Sequence, residues 1–67
     1  MTVSSVSTIT ATSKESWQDA LQNGLERATQ TLRGIQTIEV ISERADVEEG
    51  EVKNFVVELK VIFTLDG

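Results

Sequence analysis

The chain of 67 residues contains no cysteine and no histidine. Without cysteine there is no disulfide to staple the fold and no thiolate to hold a metal. Without histidine the commonest transition-metal ligand and the usual general base are gone. Nothing in the chain therefore suits a structural zinc site. Basic residues are also few, six against eleven acids, for a net charge of −5. An acidic chain with no basic cluster repels a phosphate backbone, which argues against nucleic acid as a partner. The plain use of such a charge is solubility. Long hydrophobic runs are missing too: no stretch approaches the roughly 20 apolar residues of a membrane span. Residues Met1 to Ala11 lack the positive start and apolar run of a signal peptide. The expected location is the cytoplasm, with no membrane as partner.

The catalytic inventory is correspondingly thin. A nucleophile needs an adjacent base, and the three lysines Lys14, Lys53 and Lys60 fall at positions expected to be exposed. Glu39 and Glu43 share a predicted strand face, where a solvated edge is the simpler reading. Four scattered glycines make no phosphate-cradling loop. No enzymatic activity is expected. Asp46, Glu48, Glu49 and Glu51 form an acidic turn whose oxygens would suit calcium or magnesium, although the spacing matches no EF-hand loop.

What is present reads as one small domain, residues 1–67, of α+β class with the order βαββ. Its size is near the lower limit for a self-sufficient core, so oligomerisation is the expected staple. One helix is predicted over Trp17–Arg33. Its apolar stripe is Trp17, Ala20, Leu21, Leu25, Ala28 and Leu32, with Gly24 on the same face. Thr12 and Glu15 fit a capping box at its start, Arg33 suits the dipole of its last turn, and Gly34 supplies an exit. A mid-helix glycine costs about 1 kcal/mol relative to alanine, so Gly24 implies close approach of a strand or bulky side chain. Trp17 is expected to pack.

Residues Thr2 to Ala11, rich in Ser, Thr and Val, read as a first strand at an edge or interface. Ile35 to Val47 reads as a second, with Ile38 and Val40 on one face. Thr37, Glu39, Ile41, Glu43, Ala45 and Val47 would share the other, and Gln36 would point away from Thr37. A turn over Glu48-Glu49-Gly50 leads to the third strand, Glu51 to Leu65, with the clearest alternation in the chain. Phe55, Val57, Leu59, Val61, Phe63 and Leu65 form the natural lid for the helix. A fifteen-residue strand reaches roughly 50 Å, whereas a helix of about twenty residues covers only about 30 Å. The hairpin must therefore curve or overhang, and an overhanging apolar ladder calls for a partner subunit.

A set of short matches runs the length of the chain. It comprises Thr12-Ser13-Lys14-Glu15-Ser16, Ala20, Ala28, Thr31-Leu32-Arg33, Glu39-Val40 and the closing run Val57 to Asp66. In order and spacing this resembles the dodecins, small flavin-binding proteins. The resemblance implies a curved three-stranded antiparallel sheet wrapped around one helix, assembled into a hollow shell of twelve subunits. It also implies a flavin (FMN, FAD or riboflavin) stacked between tryptophans of neighbouring subunits and hydrogen-bonded by a glutamine. The tryptophan's position falls on Thr37 and the glutamine's on Val56. Threonine lacks the stacking area of an indole, and valine offers no side-chain hydrogen bond. The expectation is thus a small-ligand binding and storage protein whose flavin binding is weak or altered. The alternative is a structural or calcium- or magnesium-binding shell that holds no flavin.

Overall fold

The computed structural model describes residues 3–65. Thr2, the expected start of the first strand, and Asp66 in the closing run lie outside the described residues. Four elements follow one another: β1 (Val3–Ser13), α1 (Trp17–Thr31), β2 (Ile35–Glu48) and β3 (Glu51–Leu65). They form an antiparallel sheet in the order β1-β3-β2, with the most strongly alternating strand in the middle. That placement follows from burial. Val57, Leu59 and Val61 of β3 are the largest fully buried side chains, and only a central strand has neighbours on both sides to enclose them. The expected βαββ order is present, and of the expected helix lid Val57, Leu59 and Val61 are buried, Phe55 and Phe63 half-buried, while Leu65 is exposed.

The helix is shorter than its apolar stripe. Ser16, not Thr12, is the N-cap: its hydroxyl accepts the Asp19 backbone N–H at 2.9 Å. Thr12 is unavailable because it still belongs to β1, opposite Val56. Ser13, buried at the strand end, accepts the Glu15 N–H at 2.9 Å and donates to Asp19 Oδ2 at 2.6 Å. Glu15 therefore does not reach back to a cap, and Asp19 is the acid of the first turn. At the other end the backbone turns extended at Leu32, so Arg33 lies beyond the helix and no basic residue closes its last turn. Gly34 does adopt a left-handed φ of 70°, but it serves the entry to β2, where its carbonyl accepts the Thr64 N–H at 2.9 Å.

The face of α1 laid on the sheet is narrow and small-sided. Ala20, Gly24 and Ala28 are its buried residues, one per turn, while Leu21 and Leu25 flank them half-buried. A Cβ at Gly24 would sit 2.7 Å from Leu59 Cδ1 and 3.1 Å from Ala11 Cβ. The close approach expected from a mid-helix glycine is thus supplied by β3 and β1.

Lengths mismatch as the sequence requires. The molecule measures 51 × 19 × 13 Å, and its radius of gyration is 13.8 Å. A compact domain of this size would have about 11 Å. The fifteen-residue helix covers only about 22 Å of that length. Beyond its ends the sheet carries uncovered apolar side chains: Val47 (64% exposed) and Val52 (50%) near the hairpin, Val3 and Leu65 at the far end. Glu49 and Gly50 close the hairpin, both with positive φ, and Glu48 belongs to β2. Two consecutive left-handed residues match the twist of the strands they join.

Strand β2 departs from simple alternation. Its register against β3 shifts at Gln36 and Ile41, and β3 carries a third irregularity at Lys53. Each extra residue reverses the parity that follows it. Thr37 and Glu39 pair with Ile62 and Lys60, away from the helix, whereas Glu43 and Ala45 pair with Val57 and Phe55 on the helix side. The single face expected for Thr37, Glu39, Ile41, Glu43, Ala45 and Val47 does not exist. Val40 shares the helix side with Ile38 but is exposed, while Ile38 packs against the core.

Gly24→Ala should destabilise the fold by about 1–3 kcal/mol, because Leu59 and Ala11 are both held in the core. The gain in helix propensity, about 1 kcal/mol, offsets only part of this. Urea unfolding followed by circular dichroism reads the difference. Unchanged or increased stability would show that the contact has slack.

Candidate ligand-binding face

Directly opposed residues of an antiparallel sheet share a face. The face away from α1 is therefore read from the register. Across the three strands its rows are Ser4–Thr64, then Val6–Ile62–Thr37, Thr8–Lys60–Glu39, Thr10–Glu58–Ser42 and Thr12–Val56–Arg44. Both expected site positions lie on this outer face. Thr37 is exposed, and its row carries the apolar pair Val6 and Ile62. Val56 is only 4% exposed. Its neighbour Arg44 reaches diagonally to Glu58, Nη1 to Oε1 at 2.7 Å, so the aliphatic stem of the arginine runs beside the valine.

One protomer does not bring these two positions together. The register places them opposite and at residues six apart along β3, a separation of roughly 20 Å. Their chemistry within the chain is also modest: one exposed hydroxyl and one covered isopropyl group.

Gln36 is not where simple alternation puts it. It is the extra residue between the pairs Ile35–Phe63 and Thr37–Ile62. The hydroxyl of Ser4, an outer-face residue on the far strand, donates to Gln36 Oε1 at 3.4 Å. At that length the bond is weak, but it places the carboxamide across β3 on the same face as Thr37. Alternation alone hid this, because the irregularity at Gln36 shows only in the pairing of β2 with β3.

Trp17 stays off this face. Its ring meets Phe55 edge-on, with centroids 4.9 Å apart and planes at 75°, and its Nε1 donates to the Arg44 carbonyl at 2.9 Å. It packs as expected, although 37% exposed, tying the start of α1 to β2. A shallow cleft of about 330 Å³ opens beside the helix start, lined by Glu15, Ser16, Gln18, Asp19 and Gln22. Its hydrogen-bonding groups include those already used in capping the helix. The acidic residues Asp46, Glu48, Glu49 and Glu51 are all exposed around the hairpin. Among the described residues no three acidic side chains are grouped to hold a metal ion. Among the same residues no helix is long and apolar enough to cross a membrane.

Comparison with known proteins agrees with this geometry along the whole chain. A family model described as Dodecin matches residues 3–66. Among solved structures, the dodecin of Streptomyces davaonensis is 35% identical with a TM-score of 0.92, covering 98% of this chain and 97% of that one. Dodecin from Streptomyces coelicolor is 33% identical with a TM-score of 0.93, covering 98% and 94% respectively. Calcium dodecin of Mycobacterium tuberculosis, a calcium-chelating antigen with a novel calcium-binding site, is 28% identical at a TM-score of 0.83, covering 96% and 91%. No curated protein sequence is similar enough to count as a match. With its fold, its element order and nearly its whole length matched, the chain belongs to the dodecin family.

Proposed function

We propose that this chain is a non-enzymatic small-ligand binding and storage protein of dodecin type, a single domain over residues 1–67. In this reading it acts as a twelve-subunit shell in the cytoplasm, and flavin binding is weakened or altered. The outer face around Thr37 and Val56 is the ligand site, completed where copies meet. One observation carries the reading: in a chain matched to the family over residues 3–66, the two outer-face positions hold an exposed threonine and a covered valine. A flat ring loses most of its stacking area against threonine. The amide that would hydrogen-bond the ring is absent at Val56, whose flank Arg44 already occupies. The lack of histidine and cysteine supports binding over catalysis.

Titration of the full chain with riboflavin, FMN or FAD, followed by quenching of flavin fluorescence, should give affinities no tighter than micromolar. Thr37→Trp combined with Val56→Gln should tighten riboflavin binding about tenfold or more, the gain of one stacked ring. Sub-micromolar binding by the unaltered chain would overturn the weakened-site reading. No gain from the double substitution would assign the pocket a different shape.

The uncovered valines and leucine beyond the helix ends support assembly. Light scattering should report a particle about twelve times the chain mass of 7.4 kDa. A stable monomer would contradict the shell.

A second reading, a calcium- or magnesium-binding shell without flavin, is favoured by the similarity to the calcium-chelating mycobacterial dodecin. The acidic hairpin supplies the hard oxygen ligands, provided that copies bring their turns together. Calcium at a hundred times its dissociation constant would then add about 2.7 kcal/mol of stability. Thermal unfolding with and without calcium checks this; a midpoint indifferent to calcium and to chelator rules the second reading out.

A further inference from the structure

We propose that Gln36 is the hydrogen-bonding residue of the outer-face site. Placed beside Thr37 by the β2 bulge, its carboxamide recognises the lactam or imide edge of a neutral, planar heteroaromatic ligand. The inference rests on the reading above that a small flat ligand occupies this face.

The bulge is the decisive feature. Gln36 has no partner position on β3, so its side chain is not committed to the helix side by parity. The contact with Ser4 Oγ shows where it lies: across β3, over the row that pairs Ser4 with Thr64. A carboxamide carries a donor and an acceptor side by side, the complement of an adjacent N–H and C=O on a ring. Ser4 donates to the oxygen only, which leaves both amide hydrogens and one lone pair for a ligand.

The surroundings suit the same class. Next to the Ser4–Thr64 row lies the row Val6–Ile62–Thr37. Val6 is exposed and Ile62 half-buried, so together they present an apolar floor on which a ring can lie. None of these six side chains is charged. The nearest charged row on this face opposes Lys60 to Glu39, which balance each other. An apolar floor bordered by hydroxyls and one amide favours a neutral ring with a polar edge.

The test uses the full chain, its Gln36→Leu variant, riboflavin, and riboflavin methylated at N3, which blocks the edge donor. Gln36 is exposed and makes one long hydrogen bond, so the variant should fold; circular dichroism and light scattering verify this. Gln36→Leu should weaken riboflavin binding about tenfold, the loss of one or two neutral hydrogen bonds. N3-methylation should weaken binding to the unaltered chain by a similar factor and leave the variant's affinity unchanged. Equal riboflavin affinity in both proteins overturns the role of Gln36 while leaving the outer-face site standing. So does a methylation penalty that persists undiminished in the variant. Absence of riboflavin quenching by the unaltered chain up to its solubility overturns the site itself and this inference with it.

Discussion

The contact between Gly24 and the pair Leu59 and Ala11 is the constraint on which the structure depends. With Ala20 and Ala28 above and below, Gly24 makes a shallow channel along α1 into which the central strand fits. Larger residues there would lift the helix off the sheet and open a void that a chain this small has no spare side chains to fill. The leucines of the helix act differently from the small residues. Leu21 and Leu25 lie half-buried at the flanks, sealing the edges of the contact while the small residues set its depth.

From that close contact follows the economy of the core. Few side chains are fully buried, and most of them belong to β3. The rest of the sheet extends past both ends of the helix as an unshielded ladder. A strand of this length cannot be covered by one short helix, so covering the overhang falls to something outside the protomer. The absence of cysteine and histidine removes the other ways in which small domains are reinforced. Length, composition and the exposed valines thus point in one direction from separate physical grounds.

The two edges of the sheet are built differently. Strand β1 runs against β3 for eleven consecutive pairs with no shift and carries no charged side chain. Strand β2 is charged and bulged, and its irregularities decide which residues face outward. At Gln36 the bulge brings an amide to the face that holds Thr37. At Ile41 it sends Glu43 and Ala45 toward the helix side. Local twist and pairing, rather than residue type, allot these positions.

The sequence alone determined the order of elements, the helix face, the helix-bearing face of β3, the close approach at Gly24 and the mismatch between strand and helix. Each is a consequence of periodicity or chain length, which the residues carry without knowledge of their neighbours. The family resemblance was legible for the same reason, since it rests on spacing. Tertiary structure alone decided the cap at Ser16, the helix end at Leu32, the faces of β2 and the covering of Val56. These depend on where another strand happens to lie: Thr12 is withdrawn from capping by pairing with Val56, and Gln36, left without a partner position on β3, is free to lie toward Ser4 on the outer face. Alternation assumes an unbroken ladder. Where the ladder slips by one residue, only the paired strand can say which face a side chain takes.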